Sequence, residues 1–345
     1  MNPLDLGRGP ATDPLSIYRY RDGIYGADLL AAAVAHLDFF SWLEEHSSDK
    51  PAICEHFEIH ERPADVMLTL FTALGLVERR GEALVLTPLA REHLVRRSPW
   101  FIGPYYASLA DRATCRDFVE ILRTDRVAHW MGVREAKDWH RAMEETEFAG
   151  RFTAAMDARG VYLGQALARS VDLGGRARLL DVGGGSGVYA CALTRVHPEL
   201  LATVLDKPPV DGVAAKAIAD RGCAERVSVV AADMFVDPWP HDADVHLLSN
   251  VLHDWAEPEV RTLLARSFAA LRPGGALIVH DAFINAEKDG PLPVAEYSAL
   301  LMYLTQGKCY STREYADFLA DAGFVGIEYR PTVADRGRMI ARRPA

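Results

Sequence analysis

A glycine-rich stretch at residues 179–190 constrains the fold more than any other segment of the chain. It reads Leu-Leu-Asp-Val-Gly-Gly-Gly-Ser-Gly-Val-Tyr-Ala and predicts an apolar strand ending near Asp181, a sharp turn, and a helix that begins at Val188. Glycine admits backbone angles that other residues avoid, and it leaves no side chain between the main chain and a ligand. A second apolar run over 200–205 ends at Asp206, about 20 residues downstream, where an acid can accept hydrogen bonds from ribose hydroxyls. The stretch therefore predicts a nucleotide-like cofactor site in an α/β fold.

The spacing of the glycines narrows the kind of ligand that this turn can hold. Dinucleotide-binding turns follow the pattern G-x-G-x-x-G, whereas here Asp181 precedes Gly183, Gly185 and Gly187 in the order D-x-G-x-G-x-G. That order resembles motif I of the S-adenosylmethionine-dependent methyltransferases, and the resemblance implies that these four residues bind this cofactor. S-adenosylmethionine has no pyrophosphate to place at a helix N-terminus, but its ammonium and sulfonium groups favour nearby carboxylates and carbonyls. The alternative is a tight turn of an α/β domain that binds nothing.

The composition is that of an ordinary globular protein, long enough for two separate cores. Of its 345 residues, 49% are hydrophobic and 25% are charged. The net charge of −10 argues against nucleic acid or an anionic membrane as a partner, because such contacts depend on clustered Lys and Arg. The five cysteines include no C-x-x-C pair, and no apolar run approaches the roughly 20 residues that span a bilayer. We therefore expect free thiols and a cytoplasmic protein.

Residues 1–100 are expected to form a mostly helical domain with a short hairpin. Apolar residues recur at three- and four-residue steps between Asp13 and Leu43, which predicts an amphipathic helical stretch. Helices are also expected over Pro51–Phe57 and Pro63–Gly75, followed by two strands within 76–86. This order is a winged-helix arrangement, for which a packing or dimerisation role is the first interpretation.

The winged-helix order also raises a different class of function, a DNA-binding regulator. The charges oppose it, because residues 1–100 hold 10 Lys and Arg against 15 Asp and Glu, a net charge of −5. The helix that would enter the DNA groove opens with Glu61, Arg62 and Asp65, one basic and two acidic side chains. Phosphate contacts need the opposite balance.

Residues 101–172 are expected to form a helical linker rich in aromatic side chains. An aromatic stripe at helical spacing usually belongs to a core, but a segment between a dimerisation domain and a cofactor domain is well placed to line a substrate cleft. Trp139, Phe152 and Met156 are our candidates for facing an aromatic substrate.

Residues 173–345 alternate between predicted strands and helices. Such alternation builds a doubly wound parallel sheet with helices on both faces. The carboxyl ends of parallel strands meet at one edge, where ligands bind. Five acidic or polar positions follow predicted strands and are expected to converge there: Asp181, Asp206, Asp233, the segment Ser249 to His253, and Asp281.

Over nearly its whole length, the chain resembles the small-molecule O-methyltransferases typified by caffeate and acetylserotonin O-methyltransferases and by bacterial natural-product tailoring enzymes. The resemblance is carried by residues 181–187, Asp233-Met234-Phe235, His253-Asp254-Trp255 and Leu271-Arg272-Pro273-Gly274-Gly275. It implies a class I methyltransferase fold, which is Rossmann-like, a homodimer formed through the N-terminal domain, and S-adenosyl-L-homocysteine as the product of the cofactor. The cofactor-binding residues that it implies are Gly183, Asp206, Asp233, Met234 and Ser249. The catalytic group that it implies is His253 as general base, with Asp254 beside it.

A histidine suits the implied reaction. A phenol with a pKa near 10 is mostly protonated at neutral pH, so its oxygen is a weak nucleophile toward a sulfonium methyl group. An imidazole with a pKa of about 6.5 in its free form can take that proton as the methyl group moves. The alternative for His253 is a packed or solvated side chain.

In the plant enzymes that the chain resembles, two acids flank and orient the base. Asp281 stands where the first would be, and Cys309 replaces the second. A thiol cannot orient an imidazolium as a carboxylate does. Cys309 and Tyr310 are therefore candidates for lining the substrate pocket, or they pack beneath a helix over 314–322. Because a phenolate is also a carbon nucleophile, methylation of an ortho carbon, or of nitrogen, stays open beside O-methylation.

The sequence thus predicts a methyltransferase of secondary metabolism that acts on an aromatic, phenolic small molecule. A metal-dependent mechanism is a further alternative, but His246, His253 and His280 share no helical spacing. No run of clustered Asp and Asn ligands is present either, so no metal ion is expected.

Overall fold

The computed structural model describes residues 6, 10–127 and 143–345. They divide into two compact units. The helical unit contains the described residues of 17–138 and the segment 284–311, and the sheet unit contains those of 1–16, 139–283 and 312–345. The boundaries at residues 100 and 172 that the sequence suggests stay a prediction.

The helices and strands follow the predicted order except for the last two strands, which were not predicted. The helices are Leu15–Asp22 (α1), Gly26–Ala32 (α2), Phe39–Glu45 (α3), Lys50–Phe57 (α4), Glu61–Ala73 (α5), Pro88–His93 (α6), Gly103–Ala107 (α7), Ala113–Thr124 (α8), Thr146–Ser170 (α9), Val188–Val196 (α10), Val210–Asp220 (α11), Glu257–Ala270 (α12), Leu292–Leu304 (α13) and Thr312–Asp321 (α14). The strands are Val77–Arg80 (β1), Ala83–Leu86 (β2), Arg178–Val182 (β3), Leu201–Asp206 (β4), Val227–Ala231 (β5), Val245–Ser249 (β6), Ala276–Asp281 (β7), Val325–Pro331 (β8) and Gly337–Arg342 (β9).

The N-terminal amphipathic stretch is helical, but it is broken. A turn separates α1 from α2, a π-helical turn continues α2 over Ala33–Leu37, and Asp38 adopts a left-handed φ of 51° before α3. These breaks bring Phe39 and Phe40 against Phe71 of α5, with ring centroids 5.6 and 5.2 Å away. The apolar stripe therefore forms the core of the helical unit.

Two later features complete the helical unit. Strands β1 and β2 pair antiparallel with Val77 opposite Leu86, as the hairpin pattern predicts. The apolar helix α13 packs on α5. Ion pairs join the segments on either side of α13 to α5, since Lys288 Nζ lies 2.9 Å and Lys308 Nζ 2.5 Å from Oδ2 of Asp65. Burial alone would raise the pKa of Asp65, but the two lysines hold it well below its usual range.

The sheet unit is built on seven strands in the order β5-β4-β3-β6-β7-β9-β8. The first five are parallel, as the alternation of strands and helices predicts, and β3 and β7 are almost wholly buried. Strands β9 and β8 then join antiparallel beside β7. Because of this antiparallel pair, the sheet is mixed. The sequence analysis predicted a purely parallel sheet and did not predict the pair.

Helix α9 packs closely on α10, the helix that follows the glycine turn. A Cβ on Gly160 would lie only 2.5 Å from Cγ1 of Val188, and one on Gly164 would lie 3.4 Å from the ring of Tyr189. The two glycines therefore let α9 approach the start of α10 within contact distance.

Among the described residues, no single helix is long and apolar enough to cross a bilayer. The bent pair Leu15–Leu37 and Phe39–Glu45 reaches that length and apolar content only when its two parts are taken together. Many of its apolar side chains, Leu29 and Phe40 among them, are buried within the protein.

Candidate active site

The parallel strands bring the predicted polar residues to one edge of the sheet. Asp206, Ser249 and Asp281 are the last residues of β4, β6 and β7. Asp181 is the penultimate residue of β3, and Asp233 follows β5 by two residues. The convergence arises because parallel strands all end on the same side.

The glycine turn is shaped for close approach of a ligand. Gly183 and Gly185 have left-handed φ angles of 63° and 57°. A Cβ on Gly185 would meet no atom within 4 Å, whereas one on Gly183 would lie 3.1 Å from Val251 and 3.6 Å from the sulfur of Met234. The turn thus leaves open space beside Gly185 and brings Gly183 next to Met234.

Two carboxyl groups face this turn, a buried one on Asp181 and a half-buried one on Asp206. Asp206 accepts hydrogen bonds from the N–H groups of Gly185 and Lys207, each at 2.8 Å. Among the described residues, Asp181 Oδ2 has no hydrogen-bond partner. Burial, with the nearby charge of Asp206, raises the pKa of Asp181 to about 7, and burial raises the pKa of Asp206 to about 6. Acids whose ionisation is disfavoured in this way suit a ligand that brings positive charge or hydroxyl donors.

Asp233 and Met234 form a turn at the end of the neighbouring strand. The carboxylate of Asp233 accepts from the N–H of Phe235 at 2.8 Å, and the carbonyl of Met234 accepts from the indole N–H of Trp239 at 2.9 Å. These bonds fix the backbone where the Met234 side chain reaches the glycine turn.

His253 lies in a 3₁₀ turn, Leu252–Asp254, and is only 2% exposed. Its Nδ1 hydrogen bonds to Oδ1 of Asp281, which is fully buried. Burial would raise the pKa of Asp281, but His253, the N–H of Ala282 and the charge of Arg336 outweigh it and lower that pKa. The group is therefore a carboxylate, which only accepts hydrogen bonds, so Nδ1 carries the proton and the lone pair of the neutral imidazole lies on Nε2.

A second carboxyl group lies beside the other ring nitrogen. Oδ1 of Asp254 is 3.7 Å from His253 Nε2, beyond hydrogen-bond distance. Burial raises the pKa of Asp254 to about 6, against the opposing effect of His253. The imidazole thus has an ionised acid on Nδ1 and a weaker acid near Nε2.

Comparison with known proteins shows which family this chain belongs to. A family model described as an O-methyltransferase domain matches residues 115–325. The chain belongs to this O-methyltransferase family. The chain is 35% identical over 305 residues to the 3-hydroxy-5-methyl-1-naphthoate 3-O-methyltransferase of Streptomyces sahachiroi, covering 87% of this chain and 86% of that protein. It is 31% identical to the tetracenomycin polyketide synthesis 8-O-methyl transferase TcmO of Streptomyces glaucescens, with all of both chains covered.

Solved structures agree with the family and the class I methyltransferase fold. An O-methyltransferase family 2 protein from Planctomyces limnophilus in complex with apigenin has a TM-score of 0.89 and 33% identity, over 99% of this methyltransferase and 100% of that chain. Human N-acetylserotonin methyltransferase in complex with SAM has a TM-score of 0.61 and 25% identity, over 98% and 100% of the two chains. These findings confirm the predicted fold class, enzyme class and cofactor: the protein is an S-adenosylmethionine-dependent methyltransferase.

The residues of the methyltransferase fit that cofactor. The ribose hydroxyls and the amino group of S-adenosylmethionine are hydrogen-bond donors for acidic side chains. The Asp206 carboxylate offers such acceptors beside the open space at Gly185, and Asp181 Oδ2 offers one next to Gly184. When bound, the cofactor supplies an electrophilic methyl group on a positively charged sulfur. Within the described parts of the chain, no group of three or more His, Cys, Asp or Glu side chains could hold a metal ion.

A hydrogen-bonded network that the sequence analysis missed surrounds Ser249. Its hydroxyl bonds to His280 Nδ1 at 2.9 Å and to the amide of Asn250 at 3.1 Å, and that amide also donates to Tyr189 OH at 3.0 Å. Burial lowers the pKa of His280 to about 3, so this imidazole stays neutral. In the sequence, the strand-end position of Ser249 and the family resemblance pointed to this residue but not to its partners Tyr189, Asn250 and His280.

A second network that was missed ties the glycine turn to α9. Asp157 accepts from the hydroxyl of Ser186 at 2.5 Å, and both of its oxygens accept from Arg221 Nη2 at 2.6 Å. Tyr315 of α14 is a third omission, since its hydroxyl donates to Asp281 Oδ2 at 3.0 Å. No spacing rule connects such distant residues in a sequence.

The candidates for lining the acceptor site lie in different places. Phe152 and Met156 are half-buried on α9, and Phe152 stacks with Phe148 at 6.3 Å. Cys309 and Tyr310 are buried in the helical unit, where the N–H of Cys309 donates to Ser298 at 3.1 Å and the carbonyl of Tyr310 accepts from Ile284 at 3.1 Å. Trp139 lies outside the described residues, and the assignment of the set to the substrate stays a prediction.

Proposed function

We propose that this enzyme transfers the methyl group of S-adenosylmethionine to a phenolic hydroxyl of an aromatic, polyketide-type small molecule, with His253 as the general base. The observation that carries the proposal is the bond from buried His253 to Asp281, at the same sheet edge that gathers Asp181 and Asp206. The hydroxynaphthoate and tetracenomycin relatives and the apigenin complex support an aromatic acceptor.

The mechanism follows from the hydrogen bonds of the dyad. Asp281 holds Nδ1–H, so Nε2 presents its lone pair and accepts the proton of the acceptor hydroxyl. The imidazolium that forms is stabilised by the buried negative charge of Asp281, a stabilisation that grows only as the proton moves. Asp254, near Nε2 and with a pKa raised to about 6 mainly by burial, adds negative charge on the side of the ring that faces the proton.

The remaining residues act by positioning. Asp181, Gly183, Gly185, Gly187, Asp206, Asp233, Met234 and Ser249 hold the cofactor. Phe152 and Met156 of α9 contact the acceptor, and Trp139, Cys309 and Tyr310 stay sequence-based candidates for the same role. Holding the acceptor oxygen in line with the methyl group and the sulfur lowers the entropic part of the activation barrier, because the reacting atoms are already oriented when the reaction begins.

Product analysis with a histidine variant tests the assignment. The enzyme would be incubated with S-adenosylmethionine and hydroxylated aromatic acids, flavonoids or polyketides, and the products examined by mass spectrometry and NMR. We expect His253→Ala to lower turnover by roughly two to four decades and to leave the calorimetric affinity for S-adenosylhomocysteine unchanged. His241→Ala, at an exposed histidine of the same unit, is the matched control. Equal turnover of His253→Ala and the wild type would remove His253 from the mechanism.

Methylation of carbon is the second candidate. The chain is 30% identical to the L-tyrosine C(3)-methyltransferase of Streptomyces lavendulae, over 85% of this chain and 82% of that protein. Deprotonation by His253 would also activate the ortho carbon of a phenolate. NMR of the product separates the two, because a methyl group on oxygen and one on a ring carbon have distinct shifts and couplings.

We also propose a homodimer whose contact surface lies on the N-terminal part of the helical unit. Large apolar side chains are exposed there: Ile17, Tyr20, Ile24, Leu89, Trp100, Ile102 and Tyr105. The arrangement of α4, α5 and the β1–β2 hairpin supports a winged-helix module used for dimerisation. Sedimentation of the wild type and of Tyr20→Asp tests this, with a dimer expected only for the wild type.

A cytoplasmic location is part of the proposal. All five cysteines are free thiols, as expected in a reducing compartment.

A further inference from the structure

The hydroxyl of Tyr315 completes the hydrogen bonding of the acid that holds the proposed base. Asp281 Oδ1 accepts from His253 Nδ1 and from the N–H of Ala282, the latter at 2.8 Å. Its other oxygen, Oδ2, accepts from Tyr315 OH at 3.0 Å. All of the side chains concerned are buried, with Asp281 and Tyr315 at 0% exposure. Each carboxylate oxygen is therefore held by a donor from a different element.

We propose that Tyr315 is a positioning residue for methyl transfer, which fixes the plane and the charge of Asp281 and thereby holds His253 as the base. This inference rests on the proposed function of His253. The resemblance leads one to expect a second acid beside the histidine, and Cys309 stands at that position. In this chain the additional hydrogen bond comes from the phenolic hydroxyl of Tyr315, which donates to Asp281 and not to His253.

Packing keeps the Tyr315 ring in place. It lies edge-on to Phe283, with ring centroids 5.1 Å apart, and makes a second edge contact with Phe318 of its own helix at 6.4 Å. Phe283 is two residues beyond Asp281 in the chain. Its contact with Tyr315 therefore restrains both the Tyr315 ring and the backbone that follows Asp281. Because the Tyr315 ring is already held in place, the hydrogen bond from its hydroxyl to Asp281 Oδ2 costs little additional side-chain entropy.

The charges around Asp281 set the direction of the effect. His253 and Asp254 face it from the 3₁₀ turn, His280 precedes it on β7, and Arg336 faces it from the β8–β9 connection. A donor on Oδ2 stabilises the dyad most when it carries a net negative charge, before it takes a proton. Removing that donor raises the proton affinity of the dyad, so more of the enzyme is protonated, and inactive, at a given pH.

Tyr315→Phe is the primary test, because it removes only the hydroxyl. We expect turnover to fall about tenfold, and the acidic limb of its pH profile to move upward by about one unit. The acceptor KM and the affinity for S-adenosylhomocysteine should stay unchanged. The matched control is Tyr329→Phe. Tyr329 packs on the same Phe283 ring at 5.1 Å, but it lies on the exposed edge strand β8, so this substitution should leave the profile unaltered.

A double-mutant cycle shows whether Tyr315 acts through Asp281. In an Asp281→Asn background, Tyr315→Phe should change turnover by less than about twofold, because the charge that it supports is already gone. A full tenfold loss in that background would overturn the proposal. NMR of the His253 imidazole across pH in the free protein gives a readout that needs no turnover, and its midpoint should move upward in Tyr315→Phe.

If Tyr315→Phe does not fold, 3-fluorotyrosine at position 315 keeps the ring and makes the hydroxyl a stronger donor. The acidic limb should then move to lower pH, and an unchanged limb would overturn the inference. Absence of methyl transfer by the wild type with every aromatic acceptor would instead contradict the proposed function, which separates the two failures.

Discussion

Replacing Asp281 by asparagine removes the negative charge beside His253 and keeps the shape of the side chain. The amide oxygen can still accept Nδ1–H, so the imidazole keeps its orientation and its lone pair on Nε2. What is lost is the attraction between the carboxylate and the imidazolium that forms as the acceptor gives up its proton. The variant thus isolates charge from geometry.

The size of the loss follows from the burial of the pair. His253 is 2% exposed and Asp281 is fully buried, so solvent screens the pair weakly. Two unit charges with centres about 4 Å apart interact by about 4 kcal/mol at an effective dielectric constant of about 20. At about 1.4 kcal/mol per decade this is close to three decades in rate, and the retained amide dipole returns part of it. We therefore expect kcat to fall by about two to three decades.

Steady-state and single-turnover kinetics with a phenolic acceptor provide the assay. Because the attraction arises only as the proton moves, kcat should fall while the acceptor KM and the affinity for S-adenosylhomocysteine stay within about twofold. Asp254→Asn is the comparison, and its effect should be smaller, because Asp254 lies 3.7 Å from Nε2 without a hydrogen bond to it. A kcat for Asp281→Asn within threefold of the wild type at its pH optimum would refute the argument.

Three further predictions concern the cofactor edge and its support. Burial, together with Asp206, raises the pKa of Asp181 to about 7, so the folded free protein keeps a proton that the unfolded chain releases near pH 4. Stability should therefore decline by up to about 4 kcal/mol as pH rises from about 4 to 7, and thermal melts should show this decline reduced in Asp181→Asn. Asp206→Ala should weaken calorimetric binding of S-adenosylhomocysteine by about 10- to 100-fold, since it removes acceptors from the ribose and from the glycine turn. Gly160→Ala should lower the free energy of unfolding by about 1–3 kcal/mol, because its Cβ would lie 2.5 Å from α10.

The last two predictions have matched controls in the same unit. Gly150 lies on the same helix, and a Cβ there meets nothing within 4 Å, so Gly150→Ala should be neutral or stabilising by about 0.5–1 kcal/mol. Asp220→Ala removes an exposed acid paired with Lys216 and should leave cofactor affinity unaltered. The reasoning fails if the two alanine substitutions in α9 have equal effects, if Asp206→Ala binds like Asp220→Ala, or if the melts of Asp181→Asn keep the full pH dependence.

The cofactor edge was predictable because its signals are local. An apolar run predicts a strand, an acidic residue marks its end, and closely spaced glycines predict the turn that follows. Since parallel strands end at the same edge of a sheet, this is enough to bring Asp181, Asp206 and Asp281 together. The same logic placed His253 near this edge, since it follows β6 by four residues. Its bond to Asp281 was suggested by the resemblance.

The supports of the site were not predictable, because they join elements by tertiary packing. Tyr315 reaches Asp281 from a helix whose amphipathic pattern shows only that one face is buried. Strand β8 was missed because it is an edge strand with mostly exposed residues, which gives no period of two. The membership of α13 in the helical unit was equally hidden, since a helix that is apolar on nearly every face does not reveal its partner.

The assignment of residues 284–311 to the helical unit limits how this enzyme can be divided. A fragment that begins at Met143 would contain α13 without α5, the helix on which it packs, and would expose the apolar surface of Leu292–Leu304 to water. Its N-terminal counterpart would lack both Lys288 and Lys308, which neutralise the half-buried Asp65. Chimeras between family members must therefore exchange 284–311 together with the N-terminal helices, although the two stretches are far apart in the gene.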